Sequence, residues 1–266
     1  MQFEKIIVFH MDQIQDSCSK RYRPLDQEEN MQSIRKSDDR GRANLGWLDS
    51  RHTFSFGHYY DPAHIGFGSL RVINEDRVLP GRGFDTHGHR DMEILTWVIS
   101  GGLAHRDSLG NGSIIHPGDL QRMTAGTGVR HSEFNASDTD PVHFLQIWIL
   151  PEQEGLAPGS EQKTFAADQR RGPMQLIASR DGHDGSVTIH QDVMLFACEL
   201  GSGEQVSYPL DTGRQAWLQV VRGRVAIGQA VLTAGDGIAL ADMGEITITG
   251  DDASEVLLFD MGTTAV

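Results

Sequence analysis

The polarity pattern of this chain has a period of two and is interrupted often. From Gly41 onward, short apolar or alternating runs are broken by Gly, Asp, Asn and Pro about every eight to twelve residues, the spacing of an all-β sandwich or barrel. In such runs successive side chains point to opposite faces, so each run can bury one side. The pattern predicts strands over residues 52–56, 68–73, 92–99, 119–123, 142–150, 174–178, 193–199, 216–221, 237–240, 246–248 and 256–259. No strong amphipathic helix competes, and residues 162–170, near the middle, are the best helical or linker segment. Residues 12–30 are polar and carry neither periodicity, so they read as a tail, with Met31 an alternative start to Met1.

The two halves echo one another. Trp97-Val98-Ile99-Ser100-Gly101-Gly102 is matched by Trp217-Leu218-Gln219-Val220-Val221-Arg222-Gly223, and Pro117-Gly118-Asp119 by Ala234-Gly235-Asp236. Each half then closes on an apolar strand, which is the order a duplicated β-barrel would give. The chain divides on this reading into an extension (1–32), a first lobe (33–160) and a second lobe (161–266).

Composition narrows the function classes. A hydrophobic fraction of 38% and a charged fraction of 23% over 266 residues describe a globular protein that folds in water, and no stretch approaches a membrane span. The net charge of −14 would repel a phosphate backbone, and the basic clusters near Arg35 and Arg170 are short and mixed with acids, so nucleic acid is not an expected partner. Cys18 and Cys198 lie far apart without a CxxC spacing, which fits a reducing compartment. The apolar run from Ile6 to Phe9 is too short for a signal peptide, leaving the cytoplasm as the expected location.

Chemistry concentrates in the first half. Of 12 histidines, only His183 and His190 lie beyond residue 150. Thr86-His87-Gly88-His89 sets two imidazoles on one face of a strand, and His131-Ser132-Glu133 sets an imidazole and a carboxylate on one face of another. Three imidazoles and a carboxylate suit Fe, Mn, Co, Ni, Cu or Zn, whereas Ca and Mg prefer oxygen shells. An octahedral ion would keep open positions, as catalytic sites do. Glu93 is a rival carboxylate, since it shares strand parity with His87 and His89.

Gly81-x5-His87-x-His89-x3-Glu93 followed by His131-x3-Asn135 resembles the two cupin motifs. The longer runs THGHRDMEILTWVISGGLAHRDSLGNG, MTAGTGVRHSEFN and FLQIWILPEQEG resemble the pirin family, over about residues 33 to 262. That resemblance implies two consecutive cupin (jelly-roll type) β-barrel lobes facing each other. It also implies one metal ion, typically Fe(II), held in the first lobe by His87, His89, His131 and Glu133, with Glu93 left outside the ligand set. The second lobe would lack ligands, and its corresponding positions are Ser207 and Pro209. Gly88 departs from the family, which usually has Pro there.

Bacterial pirins are similar to quercetinases, so the implied activity is cleavage of flavonols such as quercetin by O2, with release of carbon monoxide. Glu133 would be the catalytic base, and Phe54, Phe56, Phe84 and Trp97 are candidates to line a slot for the flat substrate. The alternative within the family is a metal-dependent, redox-sensing regulatory protein that binds other proteins without turnover.

Overall fold

A computed structural model describes residues 32–263; the tail and the two candidate starts lie outside the described residues. The described chain divides into two compact units, one built from residues 41–66 and 70–163, the other from residues 32–40, 67–69 and 164–263. Residues 33–40 and 67–69, read above as part of the first lobe, belong to the second. The reason is local bonding. Asp236 accepts the backbone N–H of Ser37 at 2.7 Å and pairs with the Lys36 ammonium at 3.0 Å, and the Phe67 ring packs on Trp217.

The chain enters as β1 (Gln32–Arg35), an edge strand of the second unit. The first unit then runs β2 (Gly41–Asn44), β3 (Leu48–His52), β4 (Leu70–Val78), β5 (Gly83–His89), β6 (Glu93–Ser100), β7 (Leu103–Asp107), β8 (Gly112–Ile115), β9 (Asp119–Thr124), β10 (Val129–Asn135), β11 (Val142–Ile149) and β12 (Gly159–Thr164). These strands form a seven-stranded sheet, β12-β9-β6-β11-β4-β3-β2, and a four-stranded sheet, β5-β10-β7-β8. Central strands β6 and β11 are buried at nearly every position, which is why their sequences are almost continuously apolar, while β10 alternates strictly between buried and partly or fully exposed.

The second unit resumes with a single-turn helix, α1 (Ala167–Arg170). It comprises β13 (Gln175–Ser179), β14 (Val187–Thr188), β15 (Val193–Leu200), β16 (Gln205–Pro209), β17 (Arg214–Arg222), β18 (Arg224–Ile227), β19 (Ala230–Thr233), β20 (Gly237–Ala241), β21 (Glu245–Gly250) and β22 (Ser254–Gly262). Its sheets, β1-β20-β17-β22-β15-β13-β14 and β16-β21-β18-β19, repeat those of the first unit position by position. The sequence echo is therefore structural. Trp97 and Trp217 occupy equivalent strands, and the turns before β9 and β20 each carry a glycine in left-handed conformation, Gly118 and Gly235. Each turn is closed by its aspartate, Asp119 accepting the N–H of His116 and Asp236 that of Thr233, both at 2.9 Å.

Two elements differ from the polarity reading. The strand expected at residues 52–56 ends instead at His52, because Gly57 is left-handed and the Ser55 hydroxyl bonds the Asp61 carbonyl at 2.9 Å, folding that run into a buried loop. Residues 162–170 split into the end of β12 and the one turn of α1. Four-residue strands such as β8 and β19 are too short for a polarity pattern to reveal.

Candidate metal centre

His87 and His89 project from β5 to one side, and His131 projects from β10, paired directly opposite His87. Their nitrogens converge. The His131 Nε2 atom lies 2.9 Å from His89 Nε2 and 3.0 Å from His87 Nε2, and one ligand atom from each ring falls within 4.8 Å of the others. All three rings are buried. The convergence depends on a bulge in β5, where Asp85 and Thr86 together oppose only Ser132. The bulge brings the Asp85 carbonyl to 2.7 Å from His87 Nδ1.

That contact fixes a tautomer. A carbonyl only accepts, so His87 carries its proton on Nδ1 and turns an Nε2 lone pair toward the other two rings. Burial lowers the pKa of His87 and drives those of His89 and His131 well below the usual imidazole value, so all three are neutral at pH 7. The His131 ring is held from behind by His105 of β7, whose Nε2 lies 3.1 Å from His131 Nδ1. That contact turns the His131 Nε2 inward, toward the other two rings. The Nε2 atoms of His87 and His89 each lie about 3 Å from that of His131, a spacing that fits nitrogen ligands around one cation.

Glu133 lies on β10 with His131 and lines the same cavity as His87 and His89, but its carboxylate is not among the atoms within 4.8 Å of one another. Gln146 of β11 donates through Nε2 to both carboxylate oxygens, at 3.0 and 2.9 Å, and is itself oriented by Thr96, whose hydroxyl donates to its Oε1 at 3.0 Å. Burial pushes the Glu133 carboxyl up to about 7, against the Gln146 bond and with help from the charge of Asp76. Glu93 is elsewhere. The chain turns between His89 and Glu93 through Asp91, which has a positive φ of 47°, so Glu93 starts β6 and the parity argument does not carry across. Of the candidate aromatics, Phe56 and Phe84 line the cavity, whereas Phe54 and Trp97 are core; Tyr59 and Trp148 complete the wall.

Fold and site together define a two-lobed cupin in which, among the described residues, the histidine cluster lies in the first lobe. In the second lobe the positions equivalent to the β5 and β10 pair carry Ser207 and Thr247, joined hydroxyl to hydroxyl at 3.1 Å. The pirin family model matches residues 33–149, and a model described as the quercetinase C-terminal cupin domain matches residues 176–261. The chain is 49% identical over 228 residues to quercetin 2,3-dioxygenase of Escherichia coli (strain K12), covering 86% of this chain and 97% of that protein. It is 42% identical to a putative quercetin 2,3-dioxygenase of Pasteurella multocida, covering 87% of this chain and all of the relative, 100%. The crystal structure of Escherichia coli YhhW in complex with nickel(II), described there as a bacterial pirin, superposes with a TM-score of 0.84 at 47% identity, covering 88% of this chain and 100% of that one. This chain belongs to the pirin family.

Proposed function

We propose that this pirin is a metal-dependent quercetin 2,3-dioxygenase that opens the central ring of flavonols with O2. One divalent transition-metal ion is held by His87, His89 and His131, with Glu133 as the carboxylate ligand. The observation that carries this reading is the convergence of three buried imidazole nitrogens beside a cavity walled by Phe56, Phe84 and Trp148. Fe(II) is the ion proposed, because three imidazoles and a carboxylate suit a redox-active ion that leaves positions open to small molecules. When bound, such an ion acts as a Lewis acid that lowers the pKa of a coordinated hydroxyl.

The protein's own groups do the rest. The aromatic wall holds a flat ring system and excludes water. A Glu133 carboxylate that swings off the ion would take the hydroxyl proton, and Gln146 donates to both of its oxygens. A cavity that reaches the histidines favours turnover over purely regulatory binding. We also propose a cytoplasmic setting, supported by Cys198, a buried thiol outside any disulfide.

The test is to load the protein with Fe(II) under anaerobic conditions, add quercetin and then admit O2. Loss of the flavonol absorbance with release of carbon monoxide is expected. Turnover no faster than with the metal-free protein would contradict the proposal.

A further inference from the structure

Opposite the histidines, the larger sheet of the first lobe presents a band of polar side chains on its inner face. His52 of β3, Asn74 of β4, Gln146 of β11 and Thr96 of β6 are successive cross-strand partners, and Ser50 is paired with Asp76 one step along. A polar band inside a barrel is costly unless its groups are bonded. Most are. Thr96 bonds Gln146 and Gln146 bonds Glu133, while His52 Nε2 lies 2.9 Å from the Ser50 hydroxyl, which in turn bonds Asp76.

Two oxygens break the pattern. Asn74 Oδ1 and Asp76 Oδ1 are buried without a hydrogen-bond partner, in side chains only 4% and 5% exposed. Both residues line the metal-facing cavity, and both lie on one face of β4, with Cα atoms about 6.6 Å apart as strand geometry sets them. An unpaired buried acceptor is expected to be met by a donor from outside the fold. The acidic side chains of Asp76 and Glu133 in the same wall, both pushed up to about 7 by burial, disfavour an anionic ligand, and the aromatic wall favours a flat one.

We propose that Asn74 and Asp76 form a hydroxyl-recognition subsite, which accepts O–H donors from two hydroxyls of a polyhydroxylated aromatic and selects it over deoxygenated or O-methylated relatives. This deepens the reading of the site as a flavonol cavity and rests on it for the ligand class. It does not depend on the reaction that follows binding.

The test is a cycle between ligand hydroxyls and side chains, read as binding by quenching of tryptophan fluorescence without O2. Probes are quercetin and flavonols each lacking one of its hydroxyls, with metal-loaded wild type, Asn74→Leu, Asp76→Leu and the acceptor-retaining Asn74→Asp. Removing one particular hydroxyl should weaken wild-type binding by roughly tenfold or more, because the acceptor is then stranded. The same removal should cost Asn74→Leu less than about twofold, and Asn74→Asp should keep the wild-type response. Equal losses in wild type and both Leu variants would overturn the proposal. If the Leu variants do not fold, the wild-type series decides alone, since a flat response to every hydroxyl also overturns it. Coupling without turnover would leave the subsite standing and remove the dioxygenase reading; turnover with flat coupling would do the reverse.

Discussion

Single side chains set the chemistry of this site through what stands behind them. His131 is oriented by His105, and Glu133 by Gln146, whose two bonds offset part of the burial that pushes the carboxyl up to about 7. Replacing Gln146 by Leu should therefore lower kcat/KM by roughly ten- to a hundredfold, the usual cost of losing a group that orients a ligand such as the one proposed at Glu133. Steady-state kinetics on protein of matched metal content checks this, and an unchanged kcat/KM would contradict it. Gly88 offers a contrasting case. A Cβ added there meets nothing nearer than 3.7 Å, and the backbone does not need positive φ, so Gly88→Ala should stabilise the fold by about 0.5 to 1 kcal/mol through the unfolded chain. Thermal unfolding measures it, and destabilisation would show that the strand entry needs glycine. The HxH and HxE pairs were readable in the sequence because strand parity alone sends their members to one side. His105 was not, since a lone histidine in Leu103-Ala104-His105-Arg106-Asp107 has no partner in its own strand. Gln146 left a fainter trace. It shares parity with Phe144 and Trp148, so a polar residue on an otherwise apolar inward face marked it.

Among the elements, β5 and β10 deliver the histidines, and the bulge at Asp85 and Thr86 supplies the carbonyl that fixes the His87 tautomer. Polarity cannot show a bulge, because one extra residue looks like a change of phase. The same limit hid the allegiance of residues 33–40, which rests on the pairing of β1 with β20 and on the long-range bonds of Lys36 and Ser37 to Asp236. Burial pushes the Asp236 carboxyl up, but the N–H groups of Thr233 and Ser37 and the Lys36 ammonium outweigh it and hold it below the usual value. A depressed carboxyl stabilises the fold above its unfolded pKa, 3.8, and that contribution is lost as pH falls through the lower folded value. Asp236→Asn should thus cost about 1 to 3 kcal/mol at pH 7, and the gap to wild type should close below pH 4 by roughly the linkage term. Urea unfolding at pH 7 and at about pH 3, on either side of that unfolded value, provides the comparison; a gap that widens in acid would contradict the assignment.

At the scale of the molecule, the two lobes share matching sheet orders, and among the described residues the histidine cluster lies in the first. The repeated Trp and Gly-Asp turns made the duplication visible in the sequence, and the absence of histidines after His190 made the asymmetry visible too. An ion that binds only the folded first lobe must stabilise it, by about 2.7 kcal/mol at a hundredfold excess over Kd. Differential scanning calorimetry should show this as an upward shift of the first-lobe transition on adding Fe(II), reversed by a chelator; no shift would mean that the ion does not prefer the folded lobe. The most direct test of the metal centre is the metal content of purified protein, measured by inductively coupled plasma mass spectrometry for wild type and His131→Ala. One divalent ion per wild-type chain, and near none in the variant, is the predicted result. Equal metal in both proteins would show that the three converging imidazoles do not hold the ion.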